Sequence, residues 1–208
     1  MLVIIDYGVG NVRSVINAFR YIGSDIVVSC DPEQIRRADG LILPGVGASG
    51  YAMQKVAPIA DVIREQALAG KPLLGICVGY QILFEESCEM GTHTCLGLIK
   101  GKVVPIPTDL GLTIPHMGWN YVDIPDGMDL LDDIRPGRHF AFAHSFYADI
   151  TDTEAIVATT NYGIDLAAAV QKKNIFGCQF HPEKSSNDGL HFLKNFVTFC
   201  SKGAGHAD

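Results

Sequence analysis

The sequence predicts an α/β fold: an open sheet with parallel core strands, helices on both faces and an antiparallel extension. In the first half of the chain, short apolar runs alternate with amphipathic segments whose apolar residues recur near every 3.6 positions, as in βαβ units. These apolar runs are continuous, which is typical of parallel strands buried on both faces. From Gly97 onward, short strand-like runs separated by Gly and Pro follow one another, which favours antiparallel pairing.

The elements of the first half are defined by their start and stop residues. A first helix is predicted after Gly8-Val9-Gly10-Asn11, a second begins at Asp31-Pro32, and a longer amphipathic helix spans 50–69 and ends at Gly70. The predicted strands between them are 2–6, 26–29, 40–43 and 73–76.

The second half is predicted to contain mostly strands and one closing helix. The predicted strands are 103–104, 121–124, 140–147, 156–159, 167–171 and 175–180. A helix over about 187–200 carries its apolar residues on one face, and 203–208 is expected to be a frayed tail. With 208 residues, 48% of them hydrophobic, the whole chain 1–208 is predicted to form a single domain.

Composition and charge exclude several classes of function. Lys and Arg number 16 against 23 Asp and Glu, and the net charge of −7 argues against nucleic acid as a partner. No apolar run reaches the ~20 residues that span a bilayer, and the first residues lack the features of a secretory signal. We therefore expect a cytoplasmic protein with no membrane partner, whose six cysteines are mostly core thiols rather than a disulfide framework.

The segment Gly75-Ile76-Cys77-Val78-Gly79 is the strongest chemical motif in the sequence. A predicted strand ends on a thiol, glycines lie two residues to either side, and a helix follows, which is the sulfur counterpart of a nucleophile elbow. The glycines allow a sharp turn, and the start of a helix favours the thiolate over the thiol. Cys77 is thus a candidate nucleophile; the alternative is a buried free cysteine in a tight connection.

A thiolate nucleophile needs a base, and His181 follows an apolar run in the segment His181-Pro182-Glu183. Pro182 fixes the turn, and the Glu183 carboxylate can accept a hydrogen bond from the imidazole and hold its tautomer. Alone, His-Pro-Glu would more often be an ordinary turn at the end of a strand. Together with the elbow, it predicts a Cys-His-Glu triad.

Acyl chemistry also requires donors for an oxyanion. The sequence offers the Val78 amide and the glycine-rich loop 44–47, which includes Val46 and Gly47. Residues 45–50 also match a dinucleotide-binding G-x-G-x-x-G pattern, but no acidic residue ends another strand about 20 residues later, so we disfavour that interpretation.

No metal and no cofactor is predicted. The set Cys88, His93 and Cys95 offers only three candidate zinc ligands, which do not form a standard four-ligand set. His116 and His144 are either structural or support the site, and Trp119 is either a core anchor or an interface anchor.

An elbow cysteine, a His-Pro-Glu segment and a Pro-Gly oxyanion loop together make the chain similar to the class I (triad) glutamine amidotransferases over nearly its full length. Finer motifs resemble the glutaminase subunits of imidazole glycerol phosphate synthases. These motifs are Asp6-Tyr7-Gly8-Val9-Gly10-Asn11, Pro44-Gly45-Val46-Gly47, Pro115-His116-Met117-Gly118-Trp119-Asn120, His144-Ser145-Phe146 and His181-Pro182-Glu183-Lys184-Ser185.

The resemblance implies a flavodoxin-like sheet and a subunit that hydrolyses L-glutamine to glutamate and ammonia. It also implies that ammonia passes to a (β/α)8 cyclase partner, which makes imidazole glycerol phosphate and an aminoimidazole carboxamide ribotide in histidine biosynthesis. By position, Cys77 attacks the amide, His181 transfers protons and Glu183 orients His181. The substrate-binding residues implied are Gln81, Glu89, Ser145 and Phe146. The residues implied to face the partner are Asn11, Ser14, Met117, Gly118, Trp119, Asn120 and Lys184.

The sequence departs from the family pattern at three positions. Val78 and Tyr80 replace the usual Leu and Met and preserve apolar character, whereas Ala141 replaces a usual tyrosine and removes a hydroxyl near the expected interface. Three alternatives stay open: a paralogue that supplies ammonia to another synthase, such as one amidating a surface sugar, a stand-alone cysteine hydrolase, and an inactive regulatory subunit. We also expect the loop 44–47 to hold its donors misaligned until the partner binds its own substrate, because glycines flank Val46.

Overall fold

The computed structural model describes residues 1–9, 12–135 and 137–203. In chain order the strands are β1 (Leu2–Ile5), β2 (Ile26–Ser29), β3 (Gly40–Gly45), β4 (Leu73–Cys77), β5 (Glu86–Ser87), β6 (His93–Thr94), β7 (Gly101–Pro105), β8 (His116–Tyr121), β9 (His139–His144), β10 (Phe146–Ile150), β11 (Ile156–Asn161), β12 (Asp165–Lys172) and β13 (Ile175–Cys178). The helices are α1 (Val12–Tyr21), α2 (Pro32–Arg37), α3 (Ser49–Val56), α4 (Ala60–Leu68), α5 (Val78–Gln81) and α6 (Ser186–Gly203), with 3₁₀ turns at Ala57–Ile59, Thr108–Leu110 and Pro182–Lys184.

A seven-stranded sheet in the order β11-β12-β13-β4-β3-β1-β2 forms the centre of the fold. The five strands from β13 to β2 are parallel, and all residues of β1, β3, β4 and β13 are buried. Their continuous apolar sequences suit this position, since neither face meets solvent. Helix α1 packs against α6, and α2 packs against α4.

The antiparallel extension lies at one edge of this sheet, where β12 pairs antiparallel with both β13 and β11. A bulge between Ala158 and Thr159 shifts the register of the outer pair. The predicted fold class, with a parallel core and an antiparallel extension, is confirmed.

Two smaller sheets lie beside the main one. The first has the order β10-β7-β5-β6, and the second is the antiparallel pair β8-β9. The prediction of one strand over 140–147 was wrong, because the chain leaves one sheet at Ser145 and enters the other. The prediction of a strand over 121–124 was also misplaced: the strand ends at Tyr121, and Asp123 forms only an isolated bridge to Thr159.

The predicted single helix over 50–69 is divided by Pro58. Helix α3 ends at Val56, a 3₁₀ turn follows, and α4 begins at Ala60. Proline has no N–H to donate and its ring clashes with the carbonyl four residues earlier, so a continuous helix is broken here. Gly70 ends α4 as expected, with φ +98°.

Two predictions concern residues at the limits of the described ranges. Helix α6 continues to Gly203, three residues beyond the expected end, and the rest of the predicted frayed tail, 204–208, lies outside the described residues. Within the described ranges, no helix is both long and apolar enough to cross a membrane.

Candidate active site

Cys77 lies at the carboxyl end of β4, at a sharp turn into α5. Its backbone has φ +54° and ψ −108°, a left-handed conformation that is costly for a residue with a side chain. A Cβ on Gly75 would lie 2.6 Å from the Gly79 carbonyl oxygen, and a Cβ on Gly79 would lie 1.7 Å from the Leu43 carbonyl oxygen. The turn therefore requires both glycines, and the nucleophile elbow expected from the sequence is present.

His181 reaches this turn because β13 and β4 are parallel neighbours whose carboxyl ends share one edge of the sheet. Its Nδ1–H donates to Oε1 of Glu183 at 2.9 Å, and the Cys77 side chain lies close enough to the same ring to raise its pKa. The His181 and Glu183 side chains are both nearly fully buried. The three residues are thus connected in the order Cys77, His181, Glu183.

The pKa of His181 depends on both of these neighbours. Burial by itself lowers the pKa, whereas hydrogen bonds to Cys77 and Glu183 and the charges of both groups raise it, with a net value of about 10. The imidazole is therefore protonated at neutral pH.

A cavity of about 550 Å³ opens at this edge of the sheet and brings most of the nominated residues together. Of the residues nominated from the sequence, those that line it are Val46, Gly47, Cys77, Val78, Gln81, Glu89, Met117, Ser145, Phe146, His181 and Lys184. Glu183 lies behind His181, and Ser14, Gly118, Trp119 and Asn120 do not line the cavity. Asn11 lies outside the described residues.

The loop 44–47 lies directly beside the elbow. Gly45, the last residue of β3, pairs with Cys77 in the parallel register, and the Tyr7 hydroxyl donates to the Pro44 carbonyl at 2.6 Å. Gly47 has φ +96°, a conformation that favours glycine. Val78 begins α5, so its amide lies at the start of that short helix, next to the thiol.

Two of the nominated substrate-binding residues are held by neighbouring polar groups. The buried Gln81 accepts from the Ser49 hydroxyl at 3.1 Å and donates through Nε2 to the Phe146 carbonyl at 3.3 Å. Oε2 of Glu89 accepts from the Ser49 backbone N–H at 2.7 Å, at the first residue of α3. Glu89 thereby places a carboxylate at the cavity wall.

The pair β8-β9 presents an apolar surface next to the cavity. Met117 is 71% exposed and Trp119 is 55% exposed, so Trp119 is not a core anchor. Ala141 lies opposite Trp119, and its carbonyl accepts from the His181 backbone N–H at 2.8 Å. Half-buried Asn120 donates to the Asn161 carbonyl at 2.9 Å, Lys184 is exposed at the cavity, and Ser14 is half-buried on α1.

His116 and His144 form a buried pair beside the cavity, where the sequence left their role undecided. Nδ1 of His144 contacts the Phe146 carbonyl at 2.8 Å, and Nδ1 of His116 contacts Nε2 of His144 at 2.9 Å. Because a carbonyl only accepts, His144 carries its proton on Nδ1, and His116 then donates to His144 Nε2. Burial lowers the pKa of each histidine to about 4.

Gln179 was missed in the sequence analysis. It is fully buried, accepts from Gln81 and donates through Nε2 to the Cys77 sulfur at 3.8 Å. The available indication was a polar residue within the apolar run 175–180, because a buried amide needs partners. Separately, no group of three or more His, Cys, Asp or Glu side chains in the described part of the chain is arranged to hold a metal ion.

Comparison with known proteins identifies the family of this chain. Residues 3–199 match the family described as glutamine amidotransferase class-I. The chain belongs to this family. Among class I glutamine amidotransferases, it is 47% identical to the imidazole glycerol phosphate synthase subunit HisH of Methanothermobacter thermautotrophicus, over 95% of this chain and 98% of that protein. It is 48% identical to the HisH subunit of Methanosarcina barkeri, over 96% of this chain and 98% of that protein.

Solved structures support the same fold. The crystal structure of a glutamine amidotransferase matches with a TM-score of 0.74 at 20% identity, covering 94% of this chain and 98% of that chain. PurLQS from Thermotoga maritima matches with a TM-score of 0.70 at 20% identity, covering 95% and 97% of the two chains. The predicted family, its flavodoxin-like fold and the assignment as a glutamine amidotransferase enzyme are confirmed.

Proposed function

We propose that this glutamine amidotransferase hydrolyses L-glutamine through a triad of Cys77, His181 and Glu183. The observation that carries the proposal is a buried imidazole that donates to a buried carboxylate and lines the same cavity as the elbow thiol. This arrangement, at the wall of a cavity large enough for an amino acid, suits nucleophilic acyl transfer.

The reaction proceeds through a thioester. The Cys77 thiolate attacks the side-chain amide carbon, and protonated His181 gives its proton to the departing nitrogen, so that ammonia leaves. His181, now neutral, takes a proton from water, whose oxygen attacks the thioester and releases glutamate and the thiolate. The Glu183 carboxylate stabilises the imidazolium form that occurs in each cycle.

Backbone amides are proposed to hold the oxyanion of each tetrahedral intermediate. The Val78 N–H follows the nucleophile directly, and the loop 44–47 with Val46 and Gly47 lies beside Cys77 in the sheet register. Such donors lower the barrier when they are aimed at the developing charge. We propose that this loop becomes fully aligned only when a partner is bound, because its glycines permit a change of peptide orientation.

The amino acid end of glutamine is proposed to bind at polar groups of the same cavity. Glu89 offers a carboxylate to the substrate ammonium, and Ser145 and Phe146 line the same cavity. Gln81 contributes through the remaining acceptor capacity of Oε1, because its Nε2 already donates to Phe146 and Gln179.

We propose that the ammonia passes to a (β/α)8 cyclase subunit, which makes imidazole glycerol phosphate and the aminoimidazole carboxamide ribotide. Support comes from identity of 47% and 48% to HisH subunits over nearly the whole chain. The exposed Met117 and Trp119 of β8, with Lys184 at the cavity, form the proposed docking surface together with Asn120 and Ser14.

The test is the rate of glutamate release by the parent chain and by Cys77→Ala, with Cys30→Ala as a matched control at an exposed thiol. We expect Cys77→Ala to abolish hydrolysis while its circular dichroism and unfolding midpoint stay near those of the parent. Cys30→Ala should keep full activity. Hydrolysis by folded Cys77→Ala would refute the assigned nucleophile.

The same assay tests the partner. We expect a low rate for the chain alone and a strong increase when the barrel cyclase and its ribotide substrate are both added. A high rate that neither addition changes would refute the coupled synthase and leave an independent hydrolase. Tight binding to a different synthase, with no response to the cyclase, would instead indicate a paralogue.

A further inference from the structure

The Gln179 side chain links the catalytic thiol to a buried chain of amides. The residue directly follows β13, is fully inaccessible to solvent, and lies two positions before His181. Its Nε2 is 3.8 Å from the Cys77 sulfur, and its Oε1 is 3.0 Å from Nε2 of Gln81.

The orientation of these two amides is fixed by a backbone carbonyl. The Phe146 carbonyl can only accept, so the Gln81 atom 3.3 Å from it is the Nε2 donor. The second hydrogen of that nitrogen then points to Gln179, whose facing atom is Oε1. Gln179 must in turn present its own Nε2 to Cys77, and an amide nitrogen is only a donor.

The hydrogen-bonded series of amides ends at Ser49, whose hydroxyl donates to Oε1 of Gln81 at 3.1 Å. A reversed Gln179 would place two amide nitrogens against each other and an oxygen against the thiolate. Both contacts are unfavourable in a buried site, so the network holds one orientation.

We infer that Gln179 is a catalytic residue whose Nε2–H donates to the Cys77 thiolate. The inference rests on the proposed function, in which Cys77 is the nucleophile. Gln179 supplies a neutral donor to the sulfur from the position directly after β13. A donor aimed at the sulfur stabilises negative charge on it more than it stabilises the neutral thiol.

Other titratable groups also act on this sulfur. His181 lies near enough for its pKa to be raised by this sulfur, and burial and, less strongly, the Cys77 charge raise the pKa values of Tyr7 and Cys178. Glu89, His144 and Lys184 line the same cavity. All of them are retained in the variants below, so a difference between variants reports on position 179.

The experiment measures the pH dependence of Cys77 alkylation by iodoacetamide in the full chain, with Cys77 identified by peptide mass mapping. We compare the parent with Gln179→Met, which has a similar length and no donor. A hydrogen bond to a charged group corresponds to a factor of about 10 to 100 in the ionisation equilibrium, so the midpoint should rise by about 1 to 2 pH units. Glutamine hydrolysis at neutral pH should fall by a similar factor, mainly in kcat.

Gln179→Glu is the second variant, and it keeps the inference testable if Gln179→Met does not fold. It keeps the shape and the acceptor for Gln81, but presents an oxygen to the sulfur, so its midpoint should rise at least as far. Ser49→Ala is the matched control, because it removes the hydrogen bond from the Ser49 hydroxyl to Gln81 and leaves Gln179 unchanged. Its midpoint should stay within about 0.3 pH units of the parent.

A midpoint unchanged in whichever Gln179 variant folds would overturn the inference, and so would an equal rise in Ser49→Ala. The alkylation readout does not depend on glutamine hydrolysis. Failure of the proposed function would instead appear as hydrolysis by Cys77→Ala, so the two failures are distinguishable.

Discussion

The substitution Glu183→Gln tests whether a buried negative charge sets the protonation of the catalytic histidine. In the parent, Oε1 of Glu183 accepts from His181 Nδ1 at 2.9 Å, and Oε2 is buried with no hydrogen-bond partner among the described residues. The glutamine amide can keep its oxygen on His181 and place its nitrogen at the position of Oε2. The substitution then removes the charge while the hydrogen bond and the shape stay almost unchanged.

The expected magnitude follows from the separation of the charges. Two unit charges about 4 Å apart interact by about 4 kcal/mol at an effective dielectric constant of about 20, which corresponds to a pKa change of about 3. The retained hydrogen bond to a neutral oxygen recovers part of this energy. We therefore expect the pKa of His181 to fall from about 10 in the parent to a value lower by about 1 to 2.

The assay is kcat/KM for glutamine between pH 5 and 11, which reports the ionisations of the free enzyme. The alkaline limb of the parent should have its midpoint near 10, the pKa of His181, and that of Glu183→Gln should lie about 1 to 2 pH units lower. Glu65→Gln, the same change at an exposed position of α4, should leave the profile unchanged.

The interactions of His181 with Cys77 and Glu183 also affect stability, with a defined sign. The His181 pKa is raised on folding, from 6.5 to about 10, so its contribution is fully present below pH 6.5 and is lost as the pH rises through 10. An alkaline limb at the same pH in parent and Glu183→Gln would refute the assignment of Glu183 as the group that holds His181 protonated.

Two further predictions concern stability. Gly79→Ala should lower the unfolding free energy by more than about 3 kcal/mol in urea titrations, because its Cβ would lie 1.7 Å from the Leu43 carbonyl oxygen; a loss below about 1 kcal/mol would contradict the tight elbow. Asp152→Ala should cost about 2 kcal/mol at pH 7, because the buried carboxylate accepts from Lys172 Nζ and from the Lys100 and Glu154 amides. Burial raises the Asp152 pKa, but these hydrogen bonds lower it by more, to a net value of about 2. The difference in unfolding free energy between the parent and Asp152→Ala should therefore shrink as the pH falls from 4 through 2. A difference that stays constant over this range would contradict the assigned role of the carboxylate.

The main sheet was predictable because its strands are encoded by continuous apolar runs between glycines and prolines. The strand β8 was not, because it lies largely exposed from Met117 to Trp119 and has neither apolar alternation nor continuous burial. It is held by pairing with β9, and a partner strand distant in sequence leaves no local pattern. The break of the helix at Pro58 was not predicted because the apolar period continues on both sides of this residue.

The residues of the candidate site also differ in how far the sequence could predict them. Cys77 and the pair of His181 and Glu183 lie in short local motifs, whose geometry is fixed by neighbours along the chain. Gln179 and Ser49 join the site through contacts distant in sequence: Gln179 with Cys77, 102 residues away, and Ser49 with Gln81, 32 residues away. Such contacts depend on strand register and helix position, which the sequence pattern does not specify to within one residue.

Three histidines in or beside the cavity differ in pKa because their surroundings differ. His116 and His144 have no carboxylate partner among the described residues, and burial lowers their pKa values to about 4, so both are neutral at pH 7. His181 is also buried, but the thiol and the Glu183 carboxylate raise its pKa to about 10. His116 can therefore donate to His144, and His144 to the Phe146 carbonyl, without competing for the proton that moves in the reaction. A site with three interchangeable imidazoles would not specify which one is the acid, whereas here the Cys77 thiol and the Glu183 carboxylate beside one imidazole make the choice.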